Sequence, residues 1–406
     1  MREVPPTAGL PLHAADLAPW GDDGLETLLA AFLGVERTLL TCSGTAALVV
    51  ALTALRRLSP QRSEVVLPGY TCALVLQAVL HCGLRPRVCD LAPGGTDFDP
   101  DHLAALCGGQ TLAVVPTHLC GRVADVEGAA RIARAHGAWV IEDAAQALGA
   151  RVQGRSVGLA GDVALFSLAA GKGLTLFEGG LLVARDAHLW PALEQAAARL
   201  LPARWGWELR RSAELLAYAA FYRPLPLAWV YGAPLRRALA RGDHAAAAGD
   251  VFDETLPLHA VGRWRRRVGA RALPRLGAFL DEGRVRWAQR RDRLAQAGLG
   301  VLGDSPAMED ADGVRPVLLV RMESAAARDR ALASLWPAGL GVSVPFARTL
   351  AHDARFSVAL TAEDRASLHR AEALARSVLT VSNSPWLDDG RFGRVLAALK
   401  AAARAG

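Results

Sequence analysis

The sequence predicts an α/β fold: a mainly parallel sheet covered by helices on both faces, followed by a smaller C-terminal α+β domain. Three observations predict it. From about residue 36 to 185, short apolar runs alternate with helical patterns, the signature of strand–helix–strand units. Those runs are apolar throughout, as in strands buried on both faces. A further strand-like run at 314–322 appears only after a helical, Arg-rich stretch at 190–295. The chain has 406 residues, 52% of them hydrophobic and 21% charged, enough for two domains with sizeable cores. The expected division is 1–260 and 261–406.

In chain order, 38–41 reads as a strand, 43–45 as a turn and 46–55 as a buried helix. A strand at 64–67 closes on Pro68-Gly69, and a helix at 74–80 leads to a strand at 87–90. Residues 112–116 form the next strand, 126–135 a helix and 139–142 another strand. Runs at 163–167 and 180–184 complete the series. Open sheets of this kind bind ligands beyond the carboxyl ends of their strands.

Charge and cysteine usage narrow the function classes. The formal net charge is +6, but the basic residues are spread along the chain. The densest run is Arg263-Trp264-Arg265-Arg266-Arg267, and the basic excess fits phosphate-bearing small molecules or an anionic surface better than nucleic acid. The six cysteines form no C-x-x-C pair, so neither a disulfide framework nor a metal site is expected. Residues 1–6 lead into no apolar core, making the cytoplasm the default expectation. Of 46 lysines plus arginines, the lysines are Lys172 and Lys400. Arginine serves wherever a cation suffices, but it cannot lose its proton and attack a carbonyl. Lys400 sits in a tail helix as a solvated charge; Lys172 sits between Gly171 and Gly173, after an apolar run.

Four stations fall at predicted strand ends. Cys42-Ser43-Gly44-Thr45-Ala46 opens a helix, where free amides and hydroxyls can cradle a phosphate, although an N-cap alone gives the same pattern. Asp143 ends a strand in Glu142-Asp143-Ala144-Ala145-Gln146. A buried carboxylate needs a cationic partner, which a protonated pyridine nitrogen supplies; a helix cap is the plainer alternative. Ser167 precedes Lys172 by five positions, pairing a hydroxyl for a phosphate with an amine for an aldehyde, the two anchors of pyridoxal 5'-phosphate (PLP). Glu178-Gly179-Gly180 turns into the last strand.

Together, Gly-Thr-Ala-Ala-Leu, Glu-Asp-Ala-Ala-Gln, Phe-Ser-x4-Lys and Glu-Gly-Gly resemble the DegT/DnrJ/EryC1/StrS family. These are fold-type-I PLP enzymes, mostly sugar aminotransferases. Segments 65–71, 83–90, 116–121, 124–125 and 377–385 support the resemblance, which runs from about 30 to 185. It implies that Lys172 carries the cofactor and moves protons, Asp143 pairs with the pyridine nitrogen and Gln146 lies near the ring's phenolic edge. Thr45, Ala46 and Ser167 would bind the phosphate, with Gly44 allowing the approach. It also implies a homodimer, an amino-acid donor such as glutamate, and a keto substrate such as a sugar nucleotide in polysaccharide or secondary-metabolite biosynthesis. Retention of Lys172 argues against the family's dehydratase branch, which carries His there.

The sequence departs from the family pattern in four places. Cys72 stands where a ring-stacking aromatic is common, with Tyr70 as a substitute or a neighbour pointing elsewhere. Gly173 replaces the usual Asn. The Asn-Tyr-Arg motif that reaches across the dimer is absent, leaving Arg263 or Arg265 as candidate phosphate ligands. Residues 205–237, rich in Trp, Tyr and Arg, have no counterpart. They read as helices packed on the protein's own core or dimer interface, or as a peripheral membrane contact. His118 reads as a structural histidine. Two alternatives to an aminotransferase follow: another PLP reaction on the same scaffold, or a membrane-associated or regulatory PLP-binding module.

Overall fold

A computed structural model describes residues 2–404 apart from 254 and 357. The described residues place seven strands in one sheet: β1 (Leu39–Thr41), β2 (Glu64–Pro68), β3 (Arg85–Cys89), β4 (Thr111–Val114), β5 (Trp139–Asp143), β6 (Val163–Ser167) and β7 (Gly180–Ala184), in the order β1-β7-β6-β5-β4-β2-β3. Strands β2 to β6 pair in parallel, while β7 runs antiparallel to both β6 and β1. β4, β6 and β7 are buried at every position, as the unbroken apolar runs require. β3 starts two residues earlier than the pattern suggests and contains Pro86. Its place at the sheet edge tolerates the missing amide. The architecture is the expected α/β class, a mainly parallel sheet covered by helices.

β1, β5 and β6 run the same way, so Thr41, Asp143 and Ser167 finish at one edge of the sheet. Helix α1 (Gly44–Leu58) starts there, with Ser43 as its cap: the Ser43 hydroxyl accepts from the Ala46 amide at 3.0 Å. Helices α2 (Ala73–His81) and α3 (Val126–Ala135) cover the faces.

A second sheet of β8 (Gly300–Leu302), β9 (Val317–Arg321), β10 (Val342–Ser343) and β11 (Val378–Ser382) is antiparallel, in the order β8-β9-β11-β10. Between the sheets lie the expected helices, including α4 (Trp205–Phe221), which is followed by a wider π turn at Ala228–Gly232, and α5 (Leu276–Gln296). Packing crosses the 260/261 division in both directions. Val268, Leu276 and Leu280 join the apolar cluster around Leu174 and Leu176. Val4, Leu235 and Ala238 join the cluster around β9 and β11.

Candidate active site

Lys172 lies on the loop between β6 and β7, and its conformation is set by its neighbours. Gly171 has φ +77°, and a Cβ there would come within 2.8 Å of the Thr7 hydroxyl, so both backbone and space require glycine. That hydroxyl donates to the Gly171 carbonyl at 2.8 Å, and the Leu10 amide donates to the Gly173 carbonyl at 3.0 Å. The Ala8 amide donates to Pro316. The N-terminal segment therefore ties the lysine loop to the second sheet. Gly173, where the family carries Asn, is one point of that attachment.

The Lys172 side chain lines a cavity of 210 Å³ together with Ser167, Gln146, Cys120, Tyr231 and Arg286. Burial holds its ammonium below the usual lysine range, with Cys72 and Asp143 opposing the shift. Asp143 is 4% exposed at the end of β5. Burial pushes its carboxyl up, partly countered by the Ala145 amide, which donates to Oδ1 at 3.0 Å, and by the Lys172 charge. Its side chain thus caps the turn after β5 and also faces the lysine. The two groups, 29 positions apart in sequence, share one buried electrostatic environment.

The start of α1 reaches the same edge. A Cβ at Gly44 would lie 3.3 Å from the Ser167 Cβ, so the first turn, with Thr45 and Ala46, adjoins the Ser167 hydroxyl. Gln146 Oε1 accepts from the Cys120 amide at 2.6 Å, which fixes that side chain on the cavity wall. The expected site residues therefore gather at one place: Lys172, Ser167 and Gln146 on the cavity, Asp143 beside the lysine, and Gly44, Thr45 and Ala46 against Ser167. A buried amine, a buried carboxylate short of a cation and a helix start beside a hydroxyl together suit PLP.

His118 is a fully used structural histidine. Its Nδ1 accepts from the Ala124 amide at 3.0 Å, leaving Nε2 to donate to Glu142 Oε1 at 2.8 Å. Cys72 lies near Lys172 and Asp143, and burial pushes its thiol up to about 11. Tyr70 points elsewhere: its hydroxyl donates to the Phe346 carbonyl at 3.0 Å and its ring packs edge-on to Phe346. Arg263 is 84% exposed beside Asp23. Arg265 is fully buried in an ion pair with Glu208, at 2.6 Å, and donates to the Leu176 and Glu178 carbonyls. It ties α4 to the turn before β7, and each of its three nitrogens is already engaged within its own subunit.

Cys42, Glu178 and His259 also converge, their ligand atoms within 4.8 Å of one another. Arg211 already neutralises Glu178, and burial pushes the Cys42 thiol up to about 11. Both anionic ligands that a divalent cation would need are thereby opposed.

Sequence reasoning missed the far wall of the cavity. Arg286 on α5 donates from Nε to the Asn383 carbonyl at 3.2 Å. Among the described residues its buried Nη2 has no hydrogen-bond partner. Tyr231 and Arg315 complete that wall. Arg315 is occupied by Asp304 at 2.5 and 2.9 Å. Nothing in the sequence singles out Arg286 among so many arginines; its unpaired nitrogen together with its place on the cavity does.

Curated proteins match about two fifths of the chain. GDP-perosamine synthase of Caulobacter vibrioides is 36% identical over 164 residues, 40% of this chain and 44% of that protein. UDP-N-acetyl-3-dehydro-alpha-D-glucosamine 3-aminotransferase of Acidithiobacillus ferrooxidans is 37% identical over 166 residues, 41% and 44% of the two lengths. The chain thus spans less than half the length of these relatives. Structural similarity extends further. S. venezuelae DesV, solved in complex with a ketimine intermediate, superposes with a TM-score of 0.71 at 25% identity, covering 96% of this chain and 93% of that one. PLP is the cofactor that these matches indicate. Residues 22–199 match the model of the DegT/DnrJ/EryC1/StrS aminotransferase family.

Proposed function

We propose that the chain is a PLP-dependent aminotransferase. It would move an amino group from an amino acid, with glutamate the first candidate, to a keto group on a sugar nucleotide or related metabolite. The observation that carries this reading is the pairing of Lys172 and Asp143 in one buried environment on a cavity. When bound, the cofactor supplies an electron sink and a carrier for the amino group.

The chain's own residues do the rest. Lys172, its ammonium destabilised by burial, presents a larger neutral fraction near pH 7 than a solvated lysine, so its Nζ can accept and return a proton. Asp143, buried and with the Ala145 amide and the Lys172 charge as the main groups countering that burial, would gain a cationic partner in a protonated ring nitrogen and hold that proton in place. Ser167 and the first turn of α1, with Gly44, Thr45 and Ala46, would receive the phosphate at the positive end of the helix. Gln146, fixed by the Cys120 amide, would orient the ring's phenolic edge. The unpaired Nη2 of Arg286 on the opposite wall suits an anionic group, either a donor carboxylate or a substrate phosphate.

Sugar-nucleotide chemistry enters by way of the relatives, whose names carry GDP- and UDP-linked sugars. The test is two-part. Glutamate, glutamine and other amino acids are screened for exchange of the α-proton catalysed by the PLP-loaded chain. Keto-sugar nucleotides are then screened against the amine-loaded form. Proton exchange without amine transfer to any keto sugar would favour a different PLP reaction at a site where Cys72 replaces an aromatic ring. Absence of both would leave a binding module.

A further inference from the structure

Helix α4 carries apolar side chains on its exposed face, with Arg210 beside them. Positions 205, 209, 213, 216, 217 and 220 are exposed and carry Trp, Leu, Ala, Leu, Ala and Ala. The 3–4 spacing places them on one face. The inward face holds the polar groups: Glu208 pairs with Arg265, and Arg211 with Glu178 and Glu214, around buried Leu215 and Tyr218. A surface helix ordinarily shows the opposite arrangement. The exposure continues through Phe221 at the helix end to Leu225 and Trp229. Trp205 is 82% and Trp229 80% exposed.

Charge surrounds this apolar surface with one sign. Residues 201–242 contain seven arginines against two glutamates, so they carry five of the chain's net +6. Both glutamates are engaged by arginine. Arg204, Arg223, Arg237 and Arg241 are exposed, and none of them has a carboxylate partner among the described residues. A second copy of the chain would meet this face with the same excess of arginine, because a two-fold interface apposes identical patches. An anionic bilayer surface satisfies both features at once. Indole rings and aliphatic side chains enter the headgroup boundary, and guanidinium groups meet the phosphates. No helix among the described residues is long and apolar enough to cross a membrane, so the contact is one that lies on the surface.

We propose that residues 205–230 form a docking face for membranes rich in anionic phospholipid. The face is joined to the active site: Tyr222 on the turn after α4 donates to the Thr7 carbonyl beside the lysine loop, and Tyr231 lines the cavity.

The test uses the full PLP-loaded chain and extruded vesicles. At low ionic strength the protein should sediment with phosphatidylcholine vesicles containing phosphatidylglycerol and stay in solution with phosphatidylcholine alone. Added salt should release it, since arginine–phosphate attraction at a surface is screened. The double variant W205S/W229S removes two side chains that touch little of the protein, so PLP content and melting temperature should hold while vesicle affinity falls at least about tenfold. Tyr231, half-buried on the cavity wall, cannot serve in this test. Three results would overturn the proposal: wild-type protein left in solution by phosphatidylglycerol vesicles, affinity unchanged in W205S/W229S, or a W205S/W229S protein that elutes as a monomer where the wild type is a dimer. The last would assign the face to a second copy.

Discussion

Arg265 offers the sharpest test of the structure against the family pattern, because the two assign it incompatible work. As a cross-subunit phosphate ligand it would serve cofactor binding; in the structure it is fully buried and committed to Glu208 and two carbonyls. Arg265→Met keeps the length and apolar stem of the side chain and removes the guanidinium. Glu208, 22% exposed, then loses its only close cation among the described residues, and the Leu176 and Glu178 carbonyls lose a donor. Removing one partner of a buried ion pair costs about 3–5 kcal/mol. The residual exposure of Glu208 places the expectation near the lower end, at about 3 kcal/mol, or roughly 3–4 °C in melting temperature for a chain of this length. Acid titration adds a second signature. Burial raises the Glu208 carboxyl, but hydrogen bonds and charge from Arg265 outweigh it and hold the group below its ordinary value of 4.5. A depressed carboxyl contributes stability above that ordinary value and loses it as pH falls through the lowered one. Wild type should therefore lose this contribution on acidification below about pH 4.5, and R265M should lack that step. Differential scanning calorimetry at several pH values, with PLP content measured spectrophotometrically on the folded fraction, reads both effects. An R265M protein with wild-type melting temperature and lost PLP would refute the structural assignment and restore the phosphate-ligand role.

Other outcomes follow from the site. Borohydride reduction of the PLP-loaded chain should fix the cofactor on Lys172, and Lys172→Ala should fold without a covalent adduct; peptide mapping to Lys400 would sink the assignment. Asp143→Asn should retain part of the PLP while α-proton exchange falls by about 10²–10⁴-fold, because an amide does not keep the ring nitrogen protonated. Near wild-type exchange would reduce Asp143 to its turn-capping bond with Ala145. The chain should elute as a homodimer, read by light scattering, with an active monomer at assay concentration as the contrary result.

The parallel sheet was legible because its strands are buried on both faces, so their composition alone separates them from the helices between. The stations at the strand ends were legible because chemistry restricts residue type there: a lysine kept in an arginine-rich chain, and an acid where an apolar strand stops. The 205–237 segment was only half legible. Composition marks it as apolar, aromatic and basic, but not which side of each helix faces out. Trp229 and Tyr231, two residues apart, illustrate the gap, since one is exposed to solvent and the other lines the cavity.

The sequence by itself determined the α/β class and the strand order along the chain, and it brought forward Lys172, Asp143, Ser167 and the 44–46 turn as candidate site residues. These follow from local patterns and residue chemistry that need no distant partner. Tertiary structure alone decided what each polar group is free to do. Arg265 and Arg286 are both helical arginines in an arginine-rich half of the chain, yet one is consumed by Glu208 and the other presents an unpaired nitrogen to the cavity. His118, near the site in sequence, is spent on Glu142 and Ala124. Availability depends on which donors and acceptors the fold brings within about 3 Å, and those partners lie from 6 to 97 positions away.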